Sequence, residues 1–391
     1  MNDKGLTTMN LKQINKSKVY QYIYQKKVTS KQQIVQELQM GLSTVSQNLT
    51  LLENEGLIER NGYFASTGGR KAQAIRIVET FKLAIGIGIL KNMFHITVVD
   101  LYGNTVFSDT IQLPYSNTLS YYKEVAGEIK KLIALNHYED KILGISIATQ
   151  GITSPDNTYV TYGTIMDNTG MCLEDFSKYL PYPCHMEHDS KSAAALELWN
   201  HPNIDDAVIF LLNRNLGGAL ITNHKIHQGN FMHGGTLEHM CIDSDGPLCY
   251  CGNRGCLETY CSANALEKAS GTTIKDFFRM LREEQTPQFL PIWEDYLNHL
   301  AFAMKNLNMV IDAPIILSGY LAPYITAEDL EYLAQRISAS SPFEFQKENL
   351  LIGIHGQYTP AIGAALFYIQ EFIGSISVSY THLTLPTNSL V

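Results

Sequence analysis

The segment that decides the fold reads Cys249-Tyr-Cys-Gly-Asn-Arg-Gly-Cys-Leu-Glu258, and His239 precedes it by ten residues. One imidazole and three thiols within 18 residues can fill the tetrahedral shell that Zn²⁺ prefers, and the glycines let the backbone turn sharply around the ion. A full set of ligands leaves no position open for catalysis. The pattern therefore predicts a structural zinc site formed by His239, Cys249, Cys251 and Cys256, with reduced, unligated cysteines as the alternative.

The chain has seven cysteines, and three of them fall in this one segment. Residues 1–13 are polar and hold no hydrophobic signal core, so the spacing favours a metal site over disulfides. Cys241 or Cys261 could replace a ligand, whereas Cys172 and Cys184 are typical of small apolar residues. No stretch approaches the roughly 18 apolar residues of a membrane span. We therefore expect a cytoplasmic protein with no membrane partner.

Charge is distributed unevenly along the 391 residues. Residues 1–80 carry 11 Lys and Arg against 6 Asp and Glu, while the remainder carries 18 against 32. A basic segment on an acidic body indicates that the first part meets a polyanion. The length and the 45% hydrophobic content allow two or three domains.

The basic segment has the pattern of a winged helix-turn-helix. Apolar spacing predicts a helix over about 10–26, Ser30 and Gln33 form a capping box for a second helix, and Ser43 can cap a third. The third helix turns Val45, Leu49 and Leu52 inward. Its outer surface then offers hydrogen-bonding side chains to base edges: Ser43, Thr44, Ser46, Gln47, Asn48 and Thr50.

A wing is predicted directly after these helices. Asn61-Gly62 is a strong signal for a tight hairpin between Leu57–Arg60 and Tyr63–Ala65. We expect Arg60, Arg70 and Lys71 to contact the DNA backbone or the minor groove. A three-helix protein-interaction module with a charged linker is the alternative for this region.

From Leu83 the pattern changes to strands. A three-strand meander, a helix and a buried strand are followed, after about Ser190, by a second series of similar order. Such a repeat predicts a two-lobed α/β domain with a cleft between its lobes. The predicted domains are 1–80 for DNA binding, 81–374 for ligand binding, and a tail over 375–391 that is disordered or derived from an expression vector.

The cysteine segment resembles the signature of the ROK family, named for repressors, open reading frames and kinases. Ser66–Arg70 is similar to the linker after the winged helix of the family's repressors, and Thr359–Ala365 is similar to its last-helix motif. The resemblance implies an actin-like, sugar-kinase-like fold related to ribonuclease H. It also implies a sugar in the cleft, and ATP in the kinase members.

The phosphate loops of the kinases are altered in this chain. Ile85–Lys91 lacks the Asp and Thr of the first loop, Asn213–Asn215 replaces a Gly-Thr-Gly, and Tyr320 replaces a glycine on the adenosine side. Phosphoryl transfer needs backbone amides and a metal-binding carboxylate around the phosphates. The resemblance therefore implies a protein that is not an enzyme.

The sugar side matches the family better. Asp189 occupies the position of the kinase base, although it could instead cap the helix that begins at Ser190. His188 and Thr236 replace an Asn and a Glu, and Glu238 replaces a Gly. The sugar-contacting residues implied by the resemblance are Asn168, His188, Asp189, Thr236, His239 and Glu258.

The hypothesis is a sugar-responsive transcriptional repressor of carbohydrate uptake or catabolism genes. Its partners would be a double-stranded DNA operator and a sugar or sugar-phosphate inducer, and it would act as a homodimer or homotetramer. A sugar kinase with a DNA-binding head and a scaffold that binds another protein are the alternatives.

Overall fold

The computed structural model describes residues 8–65 and 71–378. Contacts divide the chain into two compact units. Of the described residues, the first unit contains 8–65, 71–83, the turn Asp100–Asn104 and 368–378. The second contains Ala84–Val99 and Thr105–Phe367. The first unit thus includes two segments that the sequence analysis placed in the ligand-binding domain.

Three helices form most of the first unit: α1 Thr8–Lys26, α2 Lys31–Leu38 and α3 Leu42–Asn54. The capping box at the start of α2 is present, because the Ser30 hydroxyl accepts from Gln33 N and the Gln33 side chain accepts from Ser30 N. The predicted inward face of α3 is buried at Val45, Leu49 and Leu52. Ser43, however, lies inside the first turn, since the N-cap of α3 is Gly41.

The wing differs from its prediction. Strand β1 (Ile58–Tyr63) runs through Asn61-Gly62 and pairs with β2 (Gln73–Ile77), so the predicted tight hairpin around Asn61-Gly62 is wrong. Gly62 has a positive φ at a register shift between Arg60 and Tyr63. β2 is the better partner because its Ile75 and Ile77 are buried, whereas Tyr63 is exposed. Burial of the apolar face of β2 therefore decides the strand pairing, in preference to the local turn signal of Asn61-Gly62.

The first half of the second unit holds a five-stranded sheet in the order β5-β4-β3-β6-β9. β3, β4 and β5 form the predicted antiparallel meander, and β9, which the sequence analysis missed, pairs parallel with β6. The elements are β3 Leu83–Ile89, β4 Phe94–Val99, β5 Thr105–Ile111, α4 Leu119–Asn136, β6 Ile142–Thr149, β7 Ile152–Thr153, β8 Val160–Tyr162, α5 Leu173–Ser177, β9 Cys184–His188 and α6 Asp189–Asn200.

The second half repeats this plan with a sheet in the order β12-β11-β10-β13-β14. Its largest core cluster surrounds the buried Trp293 on α10. The elements are β10 Ala207–Leu211, β11 Gly217–Thr222, β12 Lys225–Ile226, α7 Glu258–Cys261, α8 Ala263–Ser270, α9 Ile274–Phe278, α10 Phe289–Asn308, β13 Ile315–Ser318, α11 Ala327–Ala339, β14 Leu350–Ile352 and α12 Thr359–Val378.

Two glycines let α12 pack closely within the second unit. A Cβ built at Gly86 on β3 would overlap the carbonyl oxygen of Ala361, and one built at Gly363 would overlap that of Ser192 on α6. The helix continues to Val378, past the predicted domain end at 374, because Ile376 extends its apolar pattern. The remainder of the predicted tail, 379–391, lies outside the described residues. Within the described ranges, no helix is long and apolar enough to cross a membrane.

Candidate functional site

The predicted metal ligands converge in the second unit. The ligand atoms of His239, Cys249, Cys251 and Cys256 all lie within 4.8 Å of one another. The Cys249 Sγ is 3.9 Å from His239 Nδ1, and the Cys251 Sγ is 3.7 Å from the Cys256 Sγ. Short antiparallel bridges, Cys241 with Cys256 and Leu248 with Arg254, hold the loop closed. The cluster can hold a metal ion.

The chemistry of the cluster also fits a metal. Burial lowers the pKa of His239, which favours the neutral imidazole that ligates metals. Burial raises the pKa of Cys256 to about 12, so a cation must displace a proton from this thiol. Cys241 is exposed, and Cys261 is buried with its Sγ 3.8 Å from the Tyr296 carbonyl oxygen. Neither belongs to the cluster of described residues.

Tyr250, which sequence reasoning overlooked, lies between two of the cysteines and faces His239. Its hydroxyl is 3.4 Å from His239 Nε2, and the two rings meet edge to face at 5.1 Å. The Nδ1 atom of the same imidazole faces the Cys249 sulfur. Tyr250 therefore contacts a predicted metal ligand and can hold its imidazole in one orientation.

A cavity of about 320 Å³ opens beside this cluster. We call it the sugar-side cavity. It brings together three of the predicted sugar residues, His188, Thr236 and His239, with Glu238 and Tyr250. Its lining residues are Gln150, Gly151, Ile152, Tyr162, Gly163, Thr164, Ile165, His188, His233, Thr236, Glu238, His239 and Tyr250.

Glu238 on the cavity wall and the fully buried Asn168, which does not belong to the cavity lining, each have a polar atom without a hydrogen-bond partner among the described residues. Glu238 is 7% exposed and its Oε2 has no partner. Burial raises the pKa of Glu238 to about 8, with a further contribution from the carboxylates of Asp189 and Glu258. The Asn168 amide donates to Thr149 Oγ1 and to the Gln150 carbonyl, while its Oδ1 has no partner.

A second cavity, of about 260 Å³, is lined by residues of the segments that the sequence analysis matched to the nucleotide loops of the kinases. We call it the nucleotide-side cavity. Asp189 lines it together with Asn213, Arg214 and Tyr320. The Asp189 Oδ1 is 3.5 Å from the Nε2 of His188, which lines the sugar-side cavity. Asp189 is the first residue of α6 and His188 is the N-cap, so the alternative of Asp189 as N-cap is wrong.

The altered phosphate loops bond to each other. The Asn213 Oδ1 accepts a hydrogen bond from Tyr320 N at 2.8 Å, and a Cβ at Gly319 would lie 2.7 Å from that oxygen. The Arg214 guanidinium sits 5.5 Å over the Tyr320 ring and pairs with Glu267 at 3.3 Å. The side chain of Asn213 thus occupies the backbone amide of Tyr320, in the segment that the sequence analysis matched to the adenosine side of the kinases.

Glu258, predicted to contact the sugar, is placed differently. It is buried, it accepts from Asn215 Nδ2 at 2.8 Å and from Leu216 N at 2.6 Å, and it does not belong to the cavity lining. Burial raises its pKa to about 7. Its role in sugar contact stays a prediction, and in the structure it ties α7 to the loop before β11.

The predicted base-reading face of α3 is mostly outward. Ser43 and Gln47 are exposed and Thr44 and Ser46 are half-buried. Asn48 is only 5% exposed and donates to the Thr44 carbonyl oxygen, which corrects its placement on the outer surface. It lies three residues after Val45 and four before Leu52, so the helical repeat turns it inward. Ser46 donates its hydroxyl to the Leu42 carbonyl oxygen.

The predicted cationic contacts are partly described. Arg60 Nη2 pairs with Glu53 Oε2 at 3.0 Å, Lys71 is exposed, and Arg70 lies outside the described residues. Lys12 and Asn15 of α1, which the sequence analysis did not single out, line one groove with Thr44 and Gln47. Their polarity was the available signal, but only the packing of α1 on α3 brings them to this groove.

The fold and the site together define a class: a two-lobed, sugar-kinase-like α/β unit with a His/Cys₃ cluster at its cavity, in a chain that also carries a three-helix unit with a two-stranded sheet. The sequence profile of the ROK family matches residues 71–371. The chain belongs to the ROK family.

Comparison with known proteins extends this result. The chain is 29% identical over 266 residues to the "DNA-binding transcriptional dual regulator NagC" of Escherichia coli K12, covering 66% of this chain but only 64% of that regulator. It is 24% identical over 390 residues to the xylose repressor of Bacillus subtilis 168, covering 94% of this chain and 98% of the repressor.

A solved structure shares the fold over nearly the whole chain. It is described as a ROK family transcriptional regulator and homologue of the E. coli MLC protein, with a TM-score of 0.68 and 17% identity over 95% of this chain and 99% of its own. Sugar kinases are also among the proteins with this fold.

Proposed function

We propose that this protein is a sugar-responsive, DNA-binding transcriptional regulator, acting as a repressor that a sugar releases from its operator. One observation carries the proposal: the match to a xylose repressor spans 94% of the chain, so it includes both the helical unit and the unit with the cavities. A kinase lacking a DNA-binding region would match only the second.

The first unit would read DNA through α3. Ser43, Thr44 and Gln47 offer donors and acceptors at its N-terminal half, and the cations at the wing are Lys71 and Arg60, the latter paired with Glu53. Side chains of this kind read base edges in the major groove while cations position the protein on the phosphates. A twofold-symmetric homodimer or homotetramer would suit a palindromic operator.

The cluster would hold a structural Zn²⁺. Three thiolates and one imidazole fill a tetrahedral shell, and they are the ligands this ion takes in closed sites. The ion would supply a fixed loop geometry and no chemistry of its own. His239 and Tyr250, both on the cavity wall, would then be positioned from the metal side.

Binding in the sugar-side cavity would lower the affinity for DNA. His188, Thr236, His239 and Glu238 supply the polar groups on its wall, while Asn168, Asp189 and Glu258 lie outside the lining. We expect a coupling free energy of about 1–3 kcal/mol between the sugar and DNA sites.

The protein would not transfer phosphate. Asn213 already accepts from the Tyr320 amide, and Arg214 is paired with Glu267 and stacked on Tyr320. The Tyr320 amide is therefore not free to donate to a nucleotide. Asp189 would then serve as a hydrogen-bond acceptor for a sugar hydroxyl instead of as a base.

The test is an electrophoretic mobility shift with DNA from upstream of the protein's own gene, titrated with a panel of free and phosphorylated sugars. We expect specific binding, release by at least one sugar, and a loss of roughly 5- to 100-fold in affinity for Gln47→Ala. Gln335→Ala, on the exposed side of α11, is the matched control. ADP production from Mg·ATP and a hexose that Asp189→Asn abolishes would instead show a kinase. Specific DNA binding that no sugar alters, together with no thermal shift on adding any sugar, would favour the alternative of a scaffold that binds another protein.

A further inference from the structure

The sugar-side and nucleotide-side cavities share two walls. His188 lines the first cavity and Asp189 lines the second, and the His188 Nε2 lies 3.5 Å from the Asp189 Oδ1. Ala148, near the end of β6, lines the nucleotide-side cavity, while Gln150 and Gly151, directly after that strand, line the sugar-side cavity. Residues one to three positions apart form each shared wall, so the two cavities are neighbours.

The size of each cavity suits about one sugar ring. The sugar-side cavity has a volume of about 320 Å³ and the nucleotide-side cavity one of about 260 Å³. Sites for small molecules usually measure about 300–1,000 Å³, so each cavity alone is at the small end of that range, whereas the pair falls well inside it. A monosaccharide in the sugar-side cavity would leave the nucleotide-side cavity unfilled.

The nucleotide-side cavity combines apolar surface with uncharged hydrogen-bonding groups. Leu90, Met93 and Pro360 supply the apolar surface, and the amides of Gln112 and Gln357 supply donors and acceptors. Within the described ranges, the side chain of Gln357 has no hydrogen-bond partner and that of Gln112 has only the Met93 sulfur, at 4.0 Å. A sugar ring presents C–H faces and hydroxyl edges, which match these two kinds of surface.

The same walls suit a neutral ring better than a phosphate group. Arg214 is the only Lys or Arg of the described lining, and its guanidinium already pairs with Glu267 at 3.3 Å. The backbone amide of Tyr320 donates to the Asn213 side chain. Phosphate sites normally use such cations and amides, and a phosphate group is also too small to fill this cavity.

We infer that the ligand of this protein is a disaccharide or a similar two-ring glycoside, with one ring in the sugar-side cavity and the other in the nucleotide-side cavity. The glycosidic bond would pass beside His188 and Asp189, whose side chains can bond to the hydroxyls on either side of it. The inference rests on the proposed function, since it specifies the class of sugar that is sensed.

The experiment measures binding to the full-length protein by isothermal titration calorimetry, which gives affinity and stoichiometry. The probes are 1,2-, 1,3-, 1,4- and 1,6-linked disaccharides of glucose and 1,4-linked disaccharides of galactose, N-acetylglucosamine and xylose. Each is compared with its parent monosaccharide and, for the hexoses, with the 6-phosphate. We expect at least one disaccharide to bind once per chain and at least about tenfold more tightly than its parent, because the second ring adds hydrogen bonds and apolar contacts.

Variants of the nucleotide-side cavity test where the second ring lies. Gln357→Trp places a large side chain in this cavity and should bring the ratio of disaccharide to monosaccharide affinity close to one. Gln335→Trp makes the same change at an exposed position of α11, outside both cavities, and should leave the ratio unchanged. Gln112→Ala removes an amide without filling the cavity and should lower the ratio by about threefold or more, which covers a tryptophan variant that fails to fold.

The outcomes separate this inference from the function on which it rests. If monosaccharides or hexose 6-phosphates bind as tightly as every disaccharide, or if Gln357→Trp keeps the disaccharide preference, the inference is overturned while sugar sensing stands. Two monosaccharides bound per chain would also overturn it, because the cavities would then be separate sites. If no sugar of any class binds or releases DNA, both the inference and the proposed function fail.

Discussion

The two cavities of the larger unit use adjacent residues, His188 and Asp189, yet differ in how their polar atoms are satisfied. On the sugar side, Glu238 and Asn168 each keep a buried oxygen without a partner. On the nucleotide side, the Asn213 side chain accepts a hydrogen bond from the Tyr320 amide. The backbone of Ala361 packs so closely against Gly86 that it leaves no room for a side chain there. Unsatisfied polar atoms indicate where a ligand is still expected, and mutually bonded loops indicate where a nucleotide is not.

We expect the largest effect on the sugar-side cavity when a predicted metal ligand is removed. Cys256→Ser should abolish zinc binding, lower the unfolding free energy by on the order of 3 kcal/mol or more, and eliminate sugar binding, because the segment carries His239 and Tyr250. Elemental analysis, thermal unfolding and calorimetry measure the three effects. Cys241→Ser is the control, being exposed and outside the cluster. One equivalent of zinc retained by the Cys256 variant would refute the assignment.

Packing at the nucleotide side can be tested through Gly86. Gly86→Ala forces a methyl group into the carbonyl oxygen of Ala361 and should cost about 1–3 kcal/mol in unfolding free energy, measured by urea titration. Gly127→Ala, on the exposed side of α4 with open space around it, should instead be neutral or stabilising by up to about 1 kcal/mol. Equal effects at both positions would contradict a packing role for Gly86.

A smaller effect is expected at the bond between the altered loops. Asn213→Ala leaves the Tyr320 amide without its acceptor and should cost about 1 kcal/mol, whereas Asn298→Ala, which loses an exposed bond to Tyr332, should change stability by less than about 0.5 kcal/mol. Isothermal calorimetry should detect no Mg·ATP binding in the wild type or in either variant. Tight ATP binding by the wild type would mean that the two cavities are less different than their hydrogen bonds indicate.

Features decided by residues close together in the chain could be predicted from the sequence, whereas features decided by distant contacts could not. The four metal ligands lie within 18 residues, so their spacing alone predicted the cluster. The wing was wrong because Asn61-Gly62 is a local signal, while the pairing with Gln73–Ile77 is decided by which side chains the unit buries. Asn48 was misplaced by assigning every polar residue of α3 to its outer side.

Contacts between distant segments could not be predicted from the sequence. The departure of Glu238 from the family's glycine was visible, but its burial and its unpartnered oxygen depend on the walls around it. The bond from Tyr320 to Asn213 joins residues 107 positions apart. Substitutions in the phosphate loops showed what was missing, and only the structure shows what replaced it.

Tyr250 has a consequence for how the protein would behave under metal starvation. Its side chain contacts an imidazole of the cluster and forms part of the ligand cavity, while its backbone joins two of the cysteines. In the regulator that we propose, a chain depleted of zinc would lose its carbohydrate response, whereas the helices proposed to read DNA contribute no residue to the cluster.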